Sequence, residues 1–131
     1  MPRYIDNTMI TAYKKCPRSY FIRHVLGWRG QGVSLPLTFG LAWHSAMDIV
    51  WQFAKQTPKA ELPRLALAKF LETWEEQGLS PEMSLENLEK WGSRNPSVAQ
   101  EMLVNYVEQR WQLLQTSELL GSEQPFAVPI P

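Results

Sequence analysis

The sequence predicts a mainly α-helical domain that ends in one β-strand. Apolar residues recur every three to four positions over most of the 131 residues, which is the repeat of a helix buried on one side. Only residues 124–130 alternate apolar and polar positions in the manner of a strand. The length allows one domain with its own core, and a hydrophobic share of 44% with a charged share of 20% is typical of a globular chain.

The N-terminal part is predicted to contain two short helices that meet at a proline. Residues 6–8 offer a cap for a first helix over 9–15, which Cys16-Pro17 interrupts. Pro17 suits the first turn of a second helix that runs to about residue 26. Glycines and a proline between residues 27 and 36 then predict a loop.

Four further helices follow this loop. Thr38 can cap a long helix over 39–55, which is apolar on most sides and is expected to be well buried. The other three are predicted over 65–77, where Gly78 stops the helix, over 84–91, and from Asn95-Pro96 to about residue 114.

The strand over 124–130 has no partner in the predicted fold. A single strand leaves its backbone N–H and C=O groups without hydrogen bonds, and nothing upstream reads as a second strand. Two explanations are open: a partner protein completes the sheet, or the chain is part of a larger domain. The second is the one we expect.

Composition excludes several classes of protein. No run approaches the roughly 18 apolar residues of a membrane helix, and no signal-peptide pattern opens the chain, so we expect no membrane association. Cys16 is the only cysteine, which excludes an internal disulfide and a metal site built from several thiolates of this chain. A single cysteine also favours a reducing, cytoplasmic location.

The charge is balanced overall but not along the chain. Residues 1–32 contain six basic residues and one acid, whereas residues 33–131 contain seven basic and twelve acidic residues. A basic segment on an acidic body suits a polyanion such as nucleic acid, although chance clustering on a solvated surface explains the pattern equally well.

The basic segment also carries aromatic residues on both sides of its proline. Lysine and arginine suit phosphate oxygens, and exposed aromatic rings can stack on unpaired bases. For Tyr13, Tyr20 and Phe21, packing into the core is the competing interpretation and the favoured one. The candidate DNA-contacting residues of this segment are Lys14, Lys15, Arg18, Tyr20 and Arg23.

A second candidate site lies in the long helix. Gly40 and His44 are four residues apart and share one face, so a ligand or a metal ion could approach the imidazole over the bare glycine. Asp48, one turn further on, could orient the ring. A histidine in an apolar helix is more often a core residue, which is the competing interpretation. Glu123, at the start of the predicted strand, is a third candidate as a metal ligand.

Three motifs together resemble the PD-(D/E)XK nuclease superfamily, and within it the RecB-like branch that includes CRISPR adaptation nucleases and phage exonucleases. The motifs are Thr-x-x-Lys-x-Cys-Pro-Arg-x-Tyr at 11–20, Gly-x-x-x-His at 40–44 and Glu-x-Pro-Phe at 123–126. The helix over 94–106 is also similar, so the resemblance covers essentially the whole chain. Each motif is short, but their order is more specific than any one of them.

The resemblance implies a site as well as a fold. His44 matches the family's active-site histidine, and Glu123 matches a glutamate that in some members reaches the metals, so both are implied as catalytic residues and as ligands of Mg²⁺ or Mn²⁺. Gly40, with the basic residues named above, would contact DNA. Cys16 falls where some members carry the first of four ligands of an iron–sulfur cluster, although a buried thiol is the favoured interpretation.

The family's other metal ligands and its catalytic lysine would follow Phe126, and the sequence ends at Pro131 before them. We therefore expect residues 1–131 to be a single helical segment of an α/β nuclease domain, truncated before the catalytic sheet. The whole protein would be a Mg²⁺-dependent exonuclease or endonuclease of DNA recombination and repair, and this segment would be inactive alone.

Two other functions stay open from the sequence. One is a small helical interaction module whose C-terminal strand augments the sheet of a partner protein. The other is a catalytically inactive relative of the nucleases that is retained for binding DNA.

Overall fold

The computed structural model describes residues 4–129, and these form two compact helical units. The first unit extends to Gly32 and the second begins at Val33. The boundary lies in the glycine-rich loop that the sequence predicts. Arg3 of the basic segment and Ile130 of the predicted strand lie outside the described residues.

The N-terminal unit begins with two helices that are separated by one extended residue. Helix α1 spans Asn7–Lys15, and the Asp6 carboxylate caps it by accepting a hydrogen bond from the Met9 N–H at 2.7 Å. Cys16 is extended, with φ −161° and ψ 104°, because the proline after it disfavours the helical region. Helix α2 then spans Pro17–Tyr20.

The predicted single helix over 17–26 changes character after α2. Residues Phe21–Val25 form a π-helical turn, in which the Leu26 N–H donates to the Phe21 carbonyl at 2.9 Å. A π-turn shifts each hydrogen-bond partner by only one residue, so apolar spacing cannot distinguish it from an α-helix. The helix prediction was therefore correct in position and wrong in type.

Helix α3 spans Leu35–Phe53 and begins four residues before the predicted start. Pro36 lies in its first turn, where the fixed φ and missing N–H of proline are tolerated. Ser34 therefore occupies the cap position, and Thr38, the predicted cap, is buried within the helix. A proline near a helix start resembles a loop signal in the sequence. This explains why the sequence predicts a later start for α3 than the structure has.

The remaining helices have the order and number predicted. Helix α4 spans Leu62–Glu76, and it too begins early because a proline lies in its first turn. Helix α5 spans Leu85–Trp91, and α6 spans Pro96–Thr116. The Ser84 hydroxyl accepts from the Asn87 N–H at 3.2 Å, and the Asn95 side chain accepts from the Val98 N–H at 3.0 Å, so a side chain caps each of these two helices.

The core of the second unit forms where α4 packs against α3 and α6. Helix α3 turns small or β-branched side chains inward at every fourth position, which allows close approach of α4. Aromatic rings fill the space beside them: Phe70 lies 5.4 Å from Phe39 and 5.7 Å from Trp74, between ring centroids. The fully buried apolar residues include Ala42, Ala46, Val50, Leu62, Ala66, Phe70, Trp74, Ala99, Leu103 and Val107.

Residues 124–129 form no strand, and the predicted strand over 124–130 stays a prediction. The physical reason is the lack of a partner: no strand is present anywhere between residues 4 and 129, so no ladder of hydrogen bonds can form. Over the same residues, no helix combines the length and the apolar character that crossing a membrane requires.

Replacement of Phe70 by alanine tests this core. Phe70→Ala should lower the free energy of unfolding by about 3–5 kcal/mol, because it empties a fully buried ring position. Leu65→Ala on the same helix is the matched control, since Leu65 is 43% exposed and should cost less than about 1 kcal/mol. Urea denaturation followed by circular dichroism measures both, and equal losses would contradict this packing.

Candidate nuclease site and basic segment

His44 lies on the outer side of α3, between residues that face the core. The buried side chains of Ala42 and Ala46 flank it in sequence, whereas 67% of the His44 side chain is exposed. The interpretation of His44 as a core histidine is therefore wrong. One turn earlier, a Cβ placed on Gly40 would meet no atom within 4 Å, so the approach over the glycine is open as the spacing predicts.

Glu123 contacts His44 directly. Its Oε1 atom lies 3.0 Å from His44 Nδ1, although the two residues are 79 positions apart in the sequence. Glu123 has a φ of +49°, and no other non-glycine residue described in the structure has a positive φ. Such a conformation costs about 1 kcal/mol or more for a residue with a side chain. The backbone is thus held in an unfavourable conformation at the residue that reaches the histidine.

The end of α6 explains how Glu123 reaches α3. The Gln115 side chain donates to the Ala54 carbonyl at 2.8 Å, which fixes the last turn of α6 beside the end of α3. From Ala54 back to His44, α3 covers ten residues, or about 15 Å. The seven residues 117–123 can span up to about 24 Å when extended, so the segment is long enough to return along α3 to the histidine.

The contact fixes which nitrogen of His44 is free. An ionised carboxylate can only accept hydrogen bonds, so Nδ1 carries the proton and donates to Glu123 Oε1. The other ring nitrogen, Nε2, then has a lone pair on a largely exposed ring. The pair therefore presents a positioned imidazole and a carboxylate to whatever approaches this face of α3.

The donor atoms of this pair are of the kinds that divalent metal ions bind. Mg²⁺ binds six ligands at about 2.1 Å in an octahedron, which puts neighbouring ligands about 3.0 Å apart. Nδ1 and Oε1 have this separation, which is also that of the hydrogen bond they share, so both could bind one ion only after the ring proton has moved to Nε2. Across residues 4–129, no group of three His, Cys, Asp or Glu side chains is arranged to hold a metal.

Asp48 does not orient His44 as the spacing suggests. Its Oδ2 atom accepts from the Gln52 side chain at 2.9 Å, and Glu123 is the hydrogen-bond partner of the ring instead. Its other oxygen, Oδ1, is shielded from solvent and has no hydrogen-bond partner among the described residues. Spacing along one helix could not reveal this, because the partner of His44 comes from a distant segment.

The structure divides the predicted DNA-contacting residues of the N-terminal unit between two cavities. Lys15 and Arg23 line a cavity of about 470 Å³, which we call the basic cavity. Lys14 and Tyr20 line an apolar cavity of about 290 Å³. Arg18 lines neither of them and is exposed.

The aromatic residues of this unit do not form a core. Tyr13 is 56% exposed and Phe21 is 50% exposed, so the interpretation of these two rings as core residues is wrong. Tyr20 is half-buried: it packs edge-on against Tyr13 and stacks on His24, with ring centroids 5.2 Å apart. The sequence reasoning missed His24, although its spacing of four from Tyr20 indicates the stack.

Cys16 is exposed, which contradicts its interpretation as a buried thiol. The residue lies in the single extended position between α1 and α2, where neither helix covers it. Exposure follows from the proline that ends α1, a signal that is present in the sequence.

Comparison with known protein families identifies the family of this chain. The sequence profile of the PD-(D/E)XK nuclease superfamily matches residues 7–130, which include all three motifs and residues of both units. No curated protein and no solved structure matches the chain significantly.

The contact between His44 and Glu123 should contribute little to stability. Both side chains are about two-thirds exposed, so His44→Gln and Glu123→Gln should each lower the free energy of unfolding by no more than about 1 kcal/mol. Lys59→Gln, which breaks the exposed pair with Glu108, is the matched control for urea denaturation. A loss above about 2 kcal/mol from either site variant would show that the pair holds the fold together.

Proposed function

Because this chain belongs to the PD-(D/E)XK nuclease superfamily, we propose that it is the helical N-terminal part of a Mg²⁺- or Mn²⁺-dependent nuclease that cleaves DNA. The observation that carries the proposal is the 3.0 Å contact between His44 Nδ1 and Glu123 Oε1. Two motifs whose contacting residues are 79 positions apart meet there, on an exposed face, and bring two potential metal ligands together.

His44 and Glu123 are the residues of this chain that would hold the metal ion. When bound, the ion supplies Lewis acidity toward the oxygens of the scissile phosphate. In the absence of the ion, Glu123 orients the imidazole by accepting a hydrogen bond from Nδ1–H. Gly40 leaves the adjacent turn free of side-chain atoms, so a DNA backbone can come close to the ring.

The basic segment would hold the DNA. In this proposal Lys14, Lys15, Arg18 and Arg23 contact phosphates, and Tyr20 contributes a ring face to a base. The exposure of these cations favours the role, since an exposed lysine or arginine can reach a phosphate without a loss of packing.

The remaining ligands would come from polypeptide outside residues 4–129. Two donor atoms are too few for Mg²⁺, and the superfamily's fold is α/β, so we propose that the segment over 124–130 joins a sheet contributed by a later part of the protein or by a partner chain.

The three motifs favour the RecB-like branch and a role on DNA ends or single strands in recombination and repair. A single, exposed cysteine suits a cytoplasmic location. An iron–sulfur cluster held in part by Cys16 is not favoured.

The exposed C-terminal segment also favours a second candidate function. Phe126 is 90% exposed and Val128 is 72% exposed, although both suit a strand face. A protein-interaction module would use this segment to extend the sheet of a partner. Salt separates the two functions, because affinity for DNA falls steeply as salt rises, whereas binding through an apolar protein interface hardly changes.

The 131-residue chain alone should not cleave DNA. Since its described residues supply only two suitable metal ligands, incubation with linear single- or double-stranded DNA and Mg²⁺ or Mn²⁺ should leave the substrates intact on a denaturing gel. Cleavage by the chain that His44→Ala abolishes would show that the site is already complete, and it would contradict the proposed dependence on further polypeptide.

Binding of metal at the pair can be tested without any cleavage. The chain contains two histidines, so Mn²⁺ should broaden the NMR signals of the His44 ring at lower concentration than those of His24, which serves as an internal control. Glu123→Gln should reduce the broadening at His44, because a neutral amide is a weaker ligand than a carboxylate. Equal broadening of the two rings would contradict the proposed metal site.

A further inference from the structure

We propose that the basic cavity of the N-terminal unit binds a phosphate group of the DNA backbone. The cavity measures about 470 Å³ and lies against α1, α2 and the π-turn. Its polar lining comes chiefly from Thr8, Thr11, Lys15, Cys16, Ser19 and Arg23. The inference rests on the proposed function for DNA as the ligand, and it deepens that function by assigning a specific site for the backbone.

The lining has the donors that a phosphate requires. Lys15 and Arg23 carry two positive charges, and no acid is among the described residues that line the cavity. Threonine and serine hydroxyls add hydrogen-bond donors for phosphate oxygens, and arginine can bind two oxygens of one phosphate at once. The acid nearest in sequence, Asp6, already accepts a hydrogen bond from the Met9 N–H as the cap of α1.

Helical spacing explains why the polar residues converge. Thr8, Thr11 and Lys15 follow one another at intervals of three and four along α1, so they lie on one face. Met9 and Tyr13 lie on the other side of the helix and line the apolar cavity. Helix α1 is therefore polar on one face and apolar on the other.

Two neighbouring lysines are separated by this geometry. Lys15 lines the basic cavity, whereas Lys14 lines the apolar one with Tyr13 and Tyr20. Diffuse attraction of DNA to the basic segment would use every cation of the segment alike, whereas the proposed site depends on Lys15 and Arg23. Arg29 is an exposed cation of the same segment that does not line the basic cavity and is not among the proposed phosphate contacts, so Arg29→Gln is the control variant.

The first test measures binding of a fluorescent single-stranded oligonucleotide as a function of salt. The logarithm of the association constant falls linearly with the logarithm of the salt concentration, and loss of one phosphate contact makes this line less steep by about 0.7. At 0.15 M salt, this loss corresponds to about fourfold weaker binding. We expect this change for Lys15→Gln and for Arg23→Gln, and a change below about twofold for Arg29→Gln. An effect of Arg29→Gln equal to that of Lys15→Gln would overturn the assignment of the cavity.

The second test reports occupancy of the cavity directly. Cys16 is exposed, lines the cavity and is the only cysteine of the chain, so its alkylation by iodoacetamide monitors this one location. Saturating oligonucleotide should slow alkylation at least about fivefold, because the bound backbone blocks access to the thiol. Saturated DNA binding with an unchanged alkylation rate would place the DNA elsewhere and overturn the proposal.

Oligonucleotides with different ends identify the source of the phosphate. Protection of Cys16 by an oligonucleotide without terminal phosphates assigns the cavity to an internal phosphodiester. Protection that requires a 5′- or 3′-phosphate assigns it to a DNA end, and either result supports the phosphate site. Failure of the proposed phosphate site can be distinguished from failure of the nuclease proposal. The broadening of the His44 NMR signals by Mn²⁺ tests the nuclease proposal, and it does not depend on the cavity.

Discussion

The hydrogen bond between His44 and Glu123 joins an outward-facing position of α3 to the segment that follows α6, and the functional account depends on it. An imidazole alone on an exposed helix face has no fixed tautomer and no second ligand beside it. With the carboxylate 3.0 Å away, the same ring has a hydrogen-bond partner that orients it and a second potential metal ligand beside it. The left-handed conformation of Glu123 is consistent with this, since nothing in the local sequence requires it.

Packing far from the pair is what makes the contact possible. The inward face of α3 is buried against α4, and this fixes the rotation of the helix so that His44 faces outward. The bond from Gln115 to Ala54 then starts the C-terminal segment beside α3 rather than away from it. The buried core therefore controls the geometry of the site, although neither of its two residues belongs to that core.

Local signals predicted much of the fold, and they failed where contacts are long-range. The cap of α1, predicted within residues 6–8 and made by Asp6, was predictable because a cap side chain bonds to its own helix. The spacing of Gly40 and His44 correctly put both on one face. The exposure of His44 was not predictable from an apolar sequence around it, since it depends on which side of α3 meets α4. The contact with Glu123 was suggested by family resemblance alone, because no local rule joins residues 79 positions apart.

The chain, a member of the PD-(D/E)XK nuclease superfamily, thus combines a basic N-terminal unit with a helical unit that presents an exposed pair of a histidine and a carboxylate. Anomalous scattering from crystals of the chain soaked in Mn²⁺ tests the central claim most directly. The account predicts a peak within ligand distance of both the His44 ring and the Glu123 carboxylate. Peaks only at other carboxylates, with the hydrogen bond between these two side chains intact, would contradict it.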